Sequence, residues 1–212
     1  MNTVKLKVCG LKYPKNQELI SQLPIDYAGF IFYKNSKRNT QRVSEKLPEH
    51  VKKVGVFVNE KIETLLKKLK DYNLDVIQLH GSEDINYILK LKEELVKKGL
   101  YFIQLWKAIP VQEITDLNLI KTYENHVDVI LLDAKGPKPG GNGIKFNWDF
   151  LQQINSKVPI MLSGGIKIDD VEALLKIKGQ NLIWGVDINS GFEINPGLKD
   201  AGRIQHFMNR LK

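Results

Sequence analysis

The chain has 212 residues, 42% hydrophobic and 26% charged, with 32 basic against 24 acidic side chains and a formal net charge of +8. That composition fits one globular domain with a sizeable core. One cysteine rules out an intramolecular disulfide, and no apolar run approaches the roughly 20 residues that cross a bilayer, so a cytoplasmic protein without a membrane partner is expected. Much of the positive charge lies in scattered doublets, Lys52-Lys53, Lys67-Lys68 and Lys97-Lys98. Such spacing reads as solvated helix faces, not as the concentrated patch that binds nucleic acid. A modest positive field would still attract a small anionic substrate.

In chain order, short apolar runs alternate with helical, charged stretches. Residues 4–8 alternate apolar and basic side chains, which suits a strand that starts almost at once and no secretory leader. Further strand-like runs cover 27–32, 54–58, 76–79, 101–106, 127–132, 158–162 and 182–186. Helices are expected to begin near Asn16, Gln41, Glu60, Asp84, Val111, Asn147, Asp169 and Leu198. The third and fourth carry the clearest 3.6-residue pattern, in Ile62, Leu65, Leu66 and Leu69 and then Ile85, Ile88, Leu89, Leu91 and Leu95.

Eight strand–helix units of about 26 residues predict a parallel sheet closed into a single-domain (β/α)8 TIM barrel spanning residues 1–212. An open doubly wound sheet would carry a Gly-rich turn after its first strand, which Cys9-Gly10-Leu11-Lys12 does not supply. In such a barrel, chemistry belongs at the C-terminal ends of the strands.

Unusual residues fall at those ends. Cys9 closes the first strand on the same face as Lys5 and Lys7, opposite Val4, Leu6 and Val8. A lone strand cysteine is usually a small buried hydrophobe, but this parity points it into the lumen beside a cation that favours a thiolate. Arg38, after the second strand, sits in a cluster of cations and carries a fork suited to a carboxylate. His80 ends the fourth strand and is read as a supporting residue, because no spaced His, Asp or Glu set suggests a metal. Asp133 ends the sixth strand before a loop holding Gly136, Gly140, Gly141 and Gly143, long enough to lie over a ligand. Ser163-Gly164-Gly165 and Asp187-Ile188-Asn189-Ser190-Gly191 follow the seventh and eighth strands, where backbone N–H groups often bind phosphate.

Taken together these segments resemble the phosphoribosylanthranilate isomerases of tryptophan biosynthesis. The resemblance runs from Lys7-Val8-Cys9-Gly10-Leu11 through Gly29-Phe30-Ile31-Phe32-Tyr33, Val54-Gly55-Val56-Phe57-Val58-Asn59 and Gln78-Leu79-His80-Gly81. It continues through Leu132-Asp133, Ser163-Gly164-Gly165 and Gly185-Val186-Asp187 to Pro196-Gly197-Leu198-Lys199-Asp200, and so covers essentially the whole chain. It implies an Amadori rearrangement of N-(5-phosphoribosyl)anthranilate, with Asp133 as general acid and Cys9 as general base. It further implies Arg38 on the anthranilate carboxylate, Asp187 near the amino or hydroxyl groups, and backbone around Gly164, Gly165, Asn189 and Ser190 on the phosphate. Lys7, His80 and Gly141 would support them. No cofactor or metal is expected, since the substrate nitrogen is the electron sink. The partner is a small phosphorylated molecule, and the chain is a monomer or a homodimer.

The chain departs from the family pattern at Lys34 and Lys37, where prolines are usual, and at Asn142 and Asn189. The related indole-glycerol-phosphate synthases would use lysine acids and a longer N-terminal extension. A dual-substrate isomerase would carry an aspartate where Cys9 sits. From another class, a barrel that binds an anion or nucleic acid without isomerase activity is disfavoured by the intact Cys9, Asp133 and Arg38.

Overall fold

The computed structural model describes residues 4–136 and 145–211. Eight parallel strands close into one barrel in chain order. They are β1 (Lys5–Val8), β2 (Tyr27–Ile31), β3 (Lys52–Phe57), β4 (Val76–Leu79), β5 (Gln104–Val111), β6 (Val129–Ala134), β7 (Ile160–Leu162) and β8 (Gly185–Ile188). Pairing of β1 with β8, from Lys5↔Gly185 to Val8↔Ile188, completes the ring. The described α-helices are α1 (Pro14–Ser21), α2 (Ile62–Asp71), α3 (Ile85–Lys97), α4 (Leu119–Tyr123), α5 (Val171–Gly179) and α6 (Ala201–Leu211).

Strand alternation splits the core in two. Outward side chains such as Leu6, Val8, Phe30, Ile77, Leu79, Ile130 and Leu132 pack against Leu65, Leu69, Ile88, Leu91, Leu174, Ile204 and Phe207 of the helices. Inward ones, Tyr27, Val54, Val56, Val76, Trp106, Val129, Leu131 and Met161, fill the lumen together with Cys9. The rings of Tyr27 and Trp106 meet edge-on at 4.9 Å there. Each fully buried Leu, Val or Ile contributes about 1.5–3 kcal/mol, so apolar layers on both faces hold the strand ends where the chemistry needs them. Local signals agree in α3: Asp84 caps it by accepting from the Tyr87 amide at 2.8 Å, and Gly99, at φ +69, turns the chain out of it.

Several sequence expectations are corrected. No helix begins near Gln41. There Gln17 Nε2 donates to the Arg42 carbonyl at 2.9 Å, Thr40 Oγ1 donates to the same carbonyl at 2.7 Å, and the Ser44 amide donates to Gln17 Oε1 at 2.8 Å. Those bonds take backbone groups that a helix would pair within itself. The helix expected near Asn147 is a 3-10 turn, Trp148–Gln153, and the one near Val111 is a 3-10 turn, Ile114–Asn118, leading into the short α4. Val111 itself belongs to β5, because pairing with β6 continues to Val111↔Ala134. At Leu198, in place of a helix start, a two-stranded hairpin of β9 (Glu193–Asn195) and β10 (Leu198–Lys199) precedes α6. Asp187 lies within β8, not in the loop after it, so strand parity fixes its direction.

Candidate active site

At the C-terminal mouth one pocket is lined by Cys9, Arg38, His80, Asp133, Gly164, Gly165, Asp187, Asn189 and Ser190, with Gln78 and Ser163. Lys7 lies beneath it, fully buried. The fold thus brings together the site residues the sequence pointed to, except Gly141, which with Asn142 lies outside the described residues. Asp133 and Cys9 face each other from β6 and the end of β1, three strand positions apart through β7 and β8.

The β1–β8 wall is dry and charged. Inward parity carries Lys7 against Asp187, with which it forms an ion pair at 2.9 Å. Burial works against the Lys7 ammonium, but Asp187 and Cys9 outweigh it and hold that group above the usual lysine range. Burial pushes the Asp187 carboxyl up, Lys7 opposing and Asp133 reinforcing the shift. Asp187 Oδ1 is buried with no partner, and an acceptor left so in a pocket wall calls for a ligand donor. Cys9 fits because β2 presents Gly29 beside it: a Cβ there would lie 2.9 Å from Cys9 Sγ.

One expectation changes at this wall. A nearby cation was expected to make Cys9 a thiolate. Lys7 does pull the thiol down, but burial pushes it up more strongly and Asp187 adds to the rise, so the net direction is upward. Lys7 spends its charge on Asp187.

The β4–β6 wall is built from Gln78, His80 and Asp133. The Gln78 amide nitrogen donates to His80 Nδ1 at 2.9 Å, which places the ring hydrogen on Nε2, and Nε2 donates to Asp133 Oδ2 at 3.1 Å. His80 is therefore a direct partner of the candidate acid. Gln78 Oε1 is buried and unpartnered. Gly164, at φ +90, backs Asp133: a Cβ there would stand 2.5 Å from the Ala134 amide nitrogen and 3.0 Å from Asp133 Oδ1. Only glycine takes that conformation in that space.

On the β7–β8 side, Gly165 also has positive φ, +62. A Cβ on Gly191 would lie 2.3 Å from the Ile166 carbonyl oxygen, so the two loops expected to hold phosphate pack backbone to backbone. Ser190–Phe192 forms a single 3-10 turn there. Arg38 is not fully free. Its Nε and Nη2 donate to both Glu193 oxygens at 2.8 and 2.7 Å. Glu193 also accepts from Lys199 Nζ at 2.6 Å and from the Gly197 amide at 2.9 Å. Neither Glu193 nor Lys199 was singled out from sequence as a site residue, because a helix was expected to begin at Leu198. The Pro196-Gly197 turn is the signal that could have revealed the hairpin carrying them.

Among the described residues no group of three or more His, Cys, Asp or Glu side chains is placed to hold a metal ion. Nor is any described helix long and apolar enough to cross a membrane.

The family model for N-(5'phosphoribosyl)anthranilate (PRA) isomerase matches residues 6–210. The chain belongs to that family. The N-(5'-phosphoribosyl)anthranilate isomerase of Phocaeicola vulgatus is 39% identical over 208 residues, covering 98% of this chain and 97% of its own. Phosphoribosyl anthranilate isomerase from Thermotoga maritima has the same fold, with a TM-score of 0.82 at 32% identity, over 99% of this chain and 98% of its own. A phosphoribosyl anthranilate isomerase solved in complex with reduced 1-(o-carboxyphenylamino)-1-deoxyribulose 5-phosphate matches with a TM-score of 0.79 at 29% identity, again over 99% and 98%.

Proposed function

We propose that this isomerase of tryptophan biosynthesis rearranges N-(5-phosphoribosyl)anthranilate by acid–base chemistry between Asp133 and Cys9. Convergence of these two proton-transfer groups on one pocket, from walls three strands apart, is the observation that carries the reading. Binding of a reduced product to a solved member of the family supports the substrate class.

Protonated Asp133 gives its proton to the furanose ring oxygen. The C1′–O bond breaks as the anthranilate nitrogen lone pair forms a C1′=N iminium. Cys9, as thiolate, removes the C2′ proton, and that electron pair forms the C1′=C2′ bond of an enolamine while the nitrogen regains its lone pair. The enolamine then moves its C2′ hydroxyl proton to C1′ and becomes the ketone. The resting thiol first releases its proton to solvent; after turnover Cys9 is a thiol again and Asp133 a carboxylate, which recovers one proton from solvent. The substrate nitrogen takes up the electrons throughout, and no metal or cofactor enters the scheme.

Burial keeps the resting Cys9 thiol protonated, so the base has to be switched on. The iminium charge, next to the carbon that Cys9 deprotonates, favours the thiolate as Lys7 alone does not. Asp187, with Oδ1 unpartnered, receives a substrate N–H or O–H. Arg38 takes the carboxylate, and the backbone of Gly164, Gly165, Asn189 and Ser190 takes the phosphate. Nucleic acid and membrane have no part in this reading.

The test is to supply freshly made phosphoribosylanthranilate and follow the loss of its fluorescence. Turnover by the wild-type protein, lost in Cys9→Ala and Asp133→Asn, is expected. Strongly salt-dependent RNA binding without turnover would overturn it.

A further inference from the structure

The hairpin between β8 and α6 carries a buried charged network that the acid–base scheme leaves unused. Glu193 and Lys199 sit opposite each other as Cα partners in the hairpin. Lys199 is fully buried, and its ammonium donates to Glu193 Oε1 and to Asn189 Oδ1, each at 2.6 Å. Its backbone is pinned from both sides by Asn16, whose amide donates to the Lys199 carbonyl at 2.9 Å and accepts from the Lys199 N–H at 2.8 Å. Direction is therefore built into this lysine by α1. Burial opposes the Glu193 charge, but Arg38, Lys199 and the Gly197 amide outweigh it and hold the carboxyl below its usual range.

The geometry at Arg38 sets what this network can do. A guanidinium has five N–H donors along two fork-shaped edges. Glu193 occupies the Nε/Nη2 edge at 2.8 and 2.7 Å, which leaves the Nη1/Nη2 edge for a ligand, and Arg38 lines the pocket. Within the network Arg38 and Lys199 share the one Glu193 carboxylate; burial lowers the Lys199 ammonium to about 8, so below that pH the network carries one excess positive charge at the mouth. A second carboxylate would balance it. Gly10, directly after Cys9, supports the same arrangement. A Cβ on it would lie 2.7 Å from Asn189 Oδ1 and 2.8 Å from Arg38 Cδ, so both side chains pass over bare backbone beside the candidate base.

We propose that Glu193 and Lys199 are positioning residues of this site. Glu193 fixes one edge of Arg38 so that the other faces the substrate carboxylate, and Lys199 ties that carboxylate clamp to Asn189 on the phosphate side. One network thus sets both anionic ends of the substrate relative to Cys9. This deepens the reading above and rests on Arg38 receiving the substrate carboxylate.

The experiment is a double-mutant cycle of Arg38→Ala and Glu193→Gln, with kcat and KM measured separately for phosphoribosylanthranilate. Loss of a contact made equally in ground and transition states raises KM and spares kcat. Arg38→Ala and Glu193→Gln are each expected to raise KM about tenfold or more with kcat within about threefold. In the Arg38→Ala background Glu193→Gln is expected to add less than about twofold, because it acts through the guanidinium. A purely structural role would give additive losses and a fall in kcat with the folded fraction. Should Glu193→Gln fail to fold, Glu193→Asp keeps the charge, breaks the two-pronged geometry and is read in the same cycle. A KM near wild type for the Glu193 variants, or full additivity, while Arg38→Ala raises KM, overturns the positioning role alone. No KM effect from Arg38→Ala overturns the carboxylate assignment beneath it.

Discussion

The two walls of the pocket differ in their physics, as the opposite jobs proposed for them require. On the β1–β8 wall, Cys9, Lys7 and Asp187 lie on neighbouring strands, buried, with cation and carboxylate locked at 2.9 Å. On the β4–β6 wall, Asp133 meets the His80 ring across the gap spanned by β5, and a second hollow lined by Lys107, Tyr123 and Lys135 opens on the same His80 and Asp133. A dry wall suits the proposed base, which would stay silent until the substrate becomes cationic. Asp133 is itself buried but borders that second hollow as well as the pocket, which gives the proposed acid a second path to solvent for its proton. Desolvation, not the adjacent lysine, sets the resting state of Cys9, and hydrogen bonding orients Asp133.

The largest expected effect tests whether both walls are catalytic. Cys9→Ala and Asp133→Asn are each expected to lower kcat by about 10²–10⁴, with thermal unfolding little changed. A rate within tenfold of wild type for either would leave one wall without a role. Next comes Gly164→Ala, which forces a side chain into positive φ against the Ala134 amide. It is expected to cost about 1–3 kcal/mol of stability in a denaturant titration and to lower kcat through Asp133.

His80→Leu removes the hydrogen-bond partner of Asp133 from one wall only. A loss of about tenfold in kcat, with the rate of Cys9 alkylation unchanged, would keep the walls independent. An altered alkylation rate would join them. The smallest effect separates the charges of the dry wall. Since burial raises the Cys9 thiol, its alkylation in the free enzyme is expected to have a midpoint above the ordinary thiol value of about 8.5. Lys7 lowers that midpoint and Asp187 raises it. Lys7→Met is therefore expected to shift it up and Asp187→Asn down, measured on variants shown to be folded. Shifts of the same sign would break the assignment.

Much of this molecule is legible in the order of its residues. Alternation in Lys5-Leu6-Lys7-Val8-Cys9 put Lys7 and Cys9 inside the barrel, and the repeated strand–helix rhythm gave the eight-strand ring. The small residues after β7 and the turn after β8 marked strand ends that line the pocket, and at Gly164 only glycine fits a backbone at φ +90 pressed on its neighbour. What stayed hidden is what depends on partners far apart in the chain. Lys7 and Asp187 are 180 residues apart, and only closure of the ring makes them a pair. Arg38 and Glu193 are 155 apart, so an arginine that looked free is half occupied. The region after Gln41 lost its expected helix to side chains of α1, again a distant claim on local backbone.

Strand periodicity is a local property, so the sequence by itself determined which side chains enter the lumen and at which strand ends the candidate site residues gather. The charge state of what gathers there is a property of neighbours and of exclusion from water. Tertiary structure decided that Lys7 pairs with Asp187, that burial pushes the Cys9 thiol up, and that Arg38 shares its guanidinium with a buried carboxylate. Burial and pairing exist only once the barrel has closed.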